Sequence, residues 1–166
     1  MRGCGQRKER SIPYFRHKKK KGKKMKKTKI LFGCKHNVFR SKIAEAYLKK
    51  INNDKNLVVT SAGLIKGKKL NKNVLTVAKE FGMNLKGSPK GLDSYLVSQQ
   101  NFIVIVADDV PNIFDRKEYI DFRKTKVLVW KIPDNPNGKN PIKIRQITKA
   151  IMKKVEELNR SLQKKK

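Results

Sequence analysis

Apolar residues in this chain gather in short runs that alternate with segments of helical period. Ile30-Leu31-Phe32 is a compact apolar run, as expected of a strand buried on both faces. Ile43, Ala44, Tyr47, Leu48 and Ile51 then recur at three- and four-residue spacing, which predicts an amphipathic helix. Leu57-Val58-Val59-Thr60 predicts a second strand, closed by Ala62-Gly63. Val74, Leu75, Ala78 and Phe81 mark a second helix ending near Gly82. Phe102-Ile103-Val104-Ile105-Val106 is the most apolar run and predicts a central strand, and Val127-Leu128-Val129-Trp130 a fourth. Ile147, Ala150, Ile151, Val155 and Leu158 predict a last helix, with Pro141 near its start.

Strands alternating with helices imply right-handed crossovers and a parallel sheet covered on both faces. The predicted fold is therefore an α/β three-layer sandwich around a four-stranded parallel sheet. In such folds ligands bind beyond the carboxyl ends of the strands.

Composition changes this picture only at the ends. The chain has 166 residues, 43 Lys and Arg against 13 Asp and Glu, and a formal charge of +30. Residues 1–24 hold eleven of those cations and one acid, Glu9. Residues 1–27 are read as a basic, disordered extension, residues 28–160 as the folded domain and 161–166 as a basic, disordered tail. Translation starting at Met25 is an alternative for the extension, as are a nucleic-acid arm and a localisation signal. The remaining cations are mostly Lys, and with abundant Asn and Ile they match AT-rich coding and a solvated surface; nonspecific binding to polyanions follows from the charge. No apolar run approaches the ~18 residues of a membrane helix, and no secretory leader is read. A soluble cytoplasmic protein without membrane contact is expected.

The candidate chemistry lies directly after the first strand, in Cys34-Lys35-His36-Asn37-Val38-Phe39-Arg40-Ser41. A strand feeding a tight loop and then a helix gathers backbone N–H groups around one point, an anion site before any side chain is considered. Arg40 adds a planar fork suited to two phosphate oxygens. The same N–H groups and cation favour the thiolate of Cys34. Ser41 is placed to donate to that sulfur and to cap the helix. Asn37 tolerates the left-handed backbone a curled loop needs, while His36 either touches substrate or faces solvent. Asp108-Asp109 reads as a loop or helix start rather than a metal pair. Asp134 reads either as a turn residue or as a proton donor.

The stretch Ile30-Leu31-Phe32-Gly33-Cys34-x-x-Asn37-x-x-Arg40-Ser41-x-x-Ala44-Glu45-Ala46, with Thr60-Ser61-Ala62-Gly63, resembles the signature of the low-molecular-weight protein tyrosine phosphatase family. That superfamily also contains thioredoxin-coupled arsenate reductases, and the resemblance runs over about residues 28–160. It implies a cysteine-dependent hydrolase of phosphate monoesters, on phosphoproteins or small esters, with no metal or cofactor. It implies Cys34 as nucleophile forming phosphocysteine, Arg40 and the amides of residues 35–41 as the phosphate cradle, and Asp134 as general acid and then base. Asn135 separates Asp134 from Pro136 where the family has Asp-Pro. Phe39 stands where family members often carry a second cysteine. Phe39 and Tyr95 are the candidates for contact with a substrate ring. Alternatives are an arsenate reductase using an external thiol, since no cysteine follows Cys34, a phosphocarrier, and a noncatalytic basic nucleic-acid-binding protein.

Overall fold

A computed structural model describes residues 27–110, 120–121, 123–135 and 138–164. The basic extension, apart from Lys27, lies outside the described residues, and with it Met25. The elements run β1 (Thr28–Cys34), α1 (Arg40–Ile51), β2 (Leu57–Gly63), α2 (Lys72–Glu80), α3 (Ser94–Ser98), β3 (Phe102–Val106), β4 (Lys126–Trp130) and α4 (Pro141–Gln163).

The four strands form one sheet in the order β2-β1-β3-β4. Every ladder is parallel, with Cys34 opposite Gly63 and Gly33 opposite both Ala62 and Ile105. β1 and β3 are both interior, so the central position expected of residues 102–106 is shared with the strand that ends at Cys34. Doubly buried strands must be apolar throughout, which is why the runs are continuous. On one face Ile30, Phe32, Val59 and Val104 pack with α1, α2 and α4. On the other, Leu31, Ile103 and Ile105 pack with Val97 of α3 and with Ile120. The sheet with a layer on each side is the sandwich the alternation predicts.

Local chemistry sets the boundaries. Asn71 caps α2 by accepting from the Asn73 N–H at 2.8 Å, and Asn140 caps α4 by accepting from Ile142 and Lys143. Pro141 fills the first turn of α4, where its missing N–H costs nothing. Two details differ from the periodic reading of α4. Ala150 is exposed, and Thr148 and Ile144 turn inward instead. The helix also continues through Gln163, three residues beyond the domain boundary expected at 160, because Leu162 extends the stripe of Leu158 against the core. The short α3 was not expected, since five residues show too little periodicity to register.

Tyr47 ties α1 to α4, its hydroxyl donating to Glu156 at 2.6 Å. That bond, followed by burial, pushes the phenol up to about 12. A phenol raised above its ordinary value near 10 favours the fold while protonated, so the contribution is complete below about pH 10 and fades towards pH 12. Tyr47→Phe should cost about 1 kcal/mol at pH 8, a modest sum because Glu156 is exposed. Denaturation of the two proteins at pH 8 and 11 should show the gap narrowing at the higher pH.

Candidate active site

The loop from Lys35 to Phe39 leaves the carboxyl end of an interior strand and enters the amino end of a twelve-residue helix. Its shape follows from where its carbonyls go. The N–H groups of Leu64, Ile65 and Gly67 donate to the carbonyls of Cys34, Lys35 and His36 at 2.8–3.0 Å. The carbonyls are drawn outward to residues 64–67, and the N–H of Asn37 turns the other way to reach Cys34 Sγ at 3.3 Å. Phe39 precedes α1 without a side-chain cap, so the first N–H groups of the helix stay open to the loop.

Asn37 is the pivot. It is the one described non-glycine residue at positive φ, 55°, and it is fully buried. Its Oδ1 accepts from the Lys90 N–H at 2.8 Å, which fixes the orientation of the amide. Its Nδ2 donates to Ser41 Oγ at 2.9 Å and to Ser61 Oγ at 2.8 Å. Each serine therefore has its own hydrogen left to give. Ser61 donates to Glu45 Oε2, and Ser41 lies 3.0 Å from Cys34 Sγ, oriented to donate to the sulfur. Ser41 is thus spent on the thiol and does not cap α1, which corrects one of its two expected uses. The periodic reading also missed Ser61, Glu45 and the Lys90 amide. Ser61 sits in the second half of the sequence signature, where its partner could be named only once β1 and β2 were paired.

Glycine matters at two places beside the loop. A Cβ on Gly63 would lie 2.6 Å from the His36 carbonyl carbon and 2.7 Å from the Asn37 nitrogen. One on Gly67 would lie 2.6 Å from the His36 carbonyl oxygen. Both are closer than real side chains come to backbone.

Arg40 is 2% exposed and is surrounded by acceptors. One terminal nitrogen donates to the Ile132 carbonyl at 2.9 Å and to Asp108 at 3.4 Å. The other lies 2.7 Å from Asp109 Oδ1 and 3.2 Å from Asp134 Oδ2. Asp134, from the loop after β4, also accepts the Asn135 N–H on its other oxygen at 2.8 Å. Asp108-Asp109, expected as a loop or helix start, are ion-pair partners of this arginine. Nearby, Lys42 is buried and donates to the Lys86 carbonyl, and burial pushes its ammonium below the usual lysine range.

A cleft of about 430 Å³ opens above the loop, lined in part by Lys35, His36, Val38, Phe39, Lys69 and Asp134. Phe39 is 5% exposed and belongs mainly to the core. Tyr95 is 75% exposed on α3 and is not among the described residues that line the cleft. Another hollow, about 360 Å³, lies at the opposite edge of the sheet beside Thr28, Leu57, Phe102 and Leu162, away from Cys34.

A family model described as low molecular weight phosphotyrosine protein phosphatase matches residues 29–166. Among curated proteins no relative matches the sequence. Solved structures share the fold. A thioredoxin-dependent arsenate reductase from Corynebacterium glutamicum superposes with a TM-score of 0.67 at 24% identity, over 86% of this chain and 65% of that one. The arginine phosphatase YwlE of Geobacillus stearothermophilus gives 0.70 at 21%, over 83% and 94%. The tyrosine phosphatase Wzb of Escherichia coli, in complex with sulphate, gives 0.67 at 21%, over 81% and 97%. At these identities the likeness concerns the fold.

Proposed function

We propose, because the chain belongs to the low molecular weight phosphotyrosine protein phosphatase family, that it hydrolyses phosphate monoesters through a phosphocysteine on Cys34. The observation that carries this reading is the convergence on one sulfur of the Asn37 N–H and the Ser41 hydroxyl, at the mouth of α1. Both stabilise a thiolate, the form that attacks phosphorus.

In the first step Cys34 Sγ bonds to phosphorus and the bond from phosphorus to the ester oxygen breaks. Asp134, as the acid, gives its proton to the departing oxygen. In the second step Asp134 takes a proton from water, the water oxygen bonds to phosphorus, and the sulfur leaves as thiolate. Phosphate is released and both residues return to their starting forms. Arg40 and the amides of Lys35, His36, Asn37, Val38, Phe39, Arg40 and Ser41 hold the equatorial oxygens throughout, which is where charge concentrates. A cytoplasmic setting, which keeps thiols reduced, suits this chemistry.

The substrate is a phosphorylated protein or a small phosphate ester; the described cleft walls supply lysine and asparagine rather than exposed aromatic rings. Arsenate reduction with an external thiol is the second reading, supported by the likeness to the Corynebacterium enzyme and by arsenate's phosphate-like shape. Steady-state hydrolysis of para-nitrophenyl phosphate and phosphotyrosine peptides, beside arsenate reduction with thioredoxin or a small thiol, separates the two. Asp134→Ala should lower kcat on the aryl ester by on the order of 10²–10⁴-fold. A wild-type protein that reduces arsenate and hydrolyses no ester overturns the phosphatase reading.

A further inference from the structure

Asp109 is bonded as a bound anion would be. Its Oδ1 takes the Arg40 guanidinium at 2.7 Å, the shortest of the arginine's polar contacts among the described residues, while its Oδ2 faces Lys35 Nζ at 3.9 Å. Both cations belong to the nucleophile loop, and Asp109 is among the residues that line the cleft above it. Arg40 is 2% exposed and the Asp109 side chain 33%, so the carboxylate reaches inward from the rim to a cation that solvent barely touches. A planar carboxylate spanning these two cations offers them the same pair of oxygens that a phosphate would. Asp108, its neighbour, is a looser partner, at 3.4 Å and 43% exposed.

We infer that Asp109 is an internal competitor for the phosphate seat, a positioning residue that holds Arg40 and Lys35 in the free protein and must yield them to substrate. The inference rests on the reading that Arg40 binds the phosphate. A seat filled by its own carboxylate most of the time lowers apparent affinity by the fraction left open. If the carboxylate holds the cations about nine-tenths of the time, removing it tightens binding about tenfold. Affinity should change far more than turnover, because Asp109 has yielded before the ester bond breaks. The device lowers the affinity of every oxyanion for the seat by the same factor, and so raises the concentration at which any of them fills it.

Titration calorimetry with inorganic phosphate on the full chain tests this with six proteins: wild type, Asp109→Asn, Asp109→Ser, Asp109→Glu, Asp108→Asn and Arg40→Met. Expected is about tenfold tighter binding by Asp109→Asn, near-wild-type affinity for Asp109→Glu, and a clearly smaller gain for Asp108→Asn. KM for para-nitrophenyl phosphate should fall with Asp109→Asn while kcat moves less than twofold. Asp109→Ser serves as a second removal of the carboxylate, with circular dichroism confirming the fold of each variant. Equal gains from Asp108→Asn and Asp109→Asn would reduce the effect to bulk charge and overturn the proposal. Phosphate binding that needs Arg40 but ignores position 109 sinks the competitor alone. Absence of binding in every protein, Asp109→Asn included, sinks both the competitor and the phosphate seat on which it rests.

Discussion

Cys34→Ser should leave a folded protein that still binds phosphate and turns over no ester, with kcat down by on the order of 10⁴–10⁶-fold. In the proposed reaction the sulfur attacks because a thiolate is a strong nucleophile and the Asn37 N–H and Ser41 hydroxyl converge on it. A hydroxyl in the same place needs a base to take its proton, and the local groups are committed elsewhere. Asn37 Oδ1 holds the Lys90 N–H, Glu45 holds Ser61, and Ser41 is turned to donate. Near-native phosphate affinity measured beside lost hydrolysis would separate missing chemistry from a damaged loop. A fall of less than tenfold would mean that another atom attacks phosphorus.

Arg40→Lys should cost on the order of 10³-fold in kcat/KM although the charge is retained. One ammonium cannot stand in for a guanidinium that meets the Ile132 carbonyl, Asp108, Asp109 and Asp134 from two separate nitrogens and must then hold phosphate. Stability should separate from activity across two variants. The lysine keeps a cation among the three carboxylates, so the melting temperature should move little. Arg40→Met removes it, leaves those carboxylates repelling one another, and should cost about 2–3 kcal/mol, less than for a fully buried pair because all three acids are partly exposed. Thermal melts beside kinetics read both effects, and a lysine variant within tenfold of wild type would show that the fork is dispensable.

The sheet was legible because strands buried on both faces have no polar side to hide, and the loop because phosphate chemistry demands a cysteine and an arginine one tight turn apart. What escaped depends on contacts across the chain. Asp109 meets Arg40 across 69 positions, and no local pattern marks which acid of an adjacent pair will turn towards a distant cation. Ser41 looked equally fit to cap a helix or serve a sulfur. The Asn37 amide decides, by occupying its oxygen from the other side. Ala150 follows the helical period and is nonetheless exposed, because periodicity fixes a stripe's direction better than its edges. Tyr95 stands out by residue type alone, and on α3 its ring is exposed and outside the described lining of the cleft.

The glycines at 63 and 67 have a consequence for how this protein can change. The loop after β1 is cast against residues 63–67 as against a mould, and a mould tolerates no added thickness. Lys66, Lys68 and Lys69 are exposed at the rim of the mould, where a side chain of any length finds room. At Gly63 and Gly67 there is no such room, since a single methyl group would press on the His36 backbone. The narrowest constraint on the loop that carries Cys34 thus falls on a segment outside it, some thirty residues further along the chain.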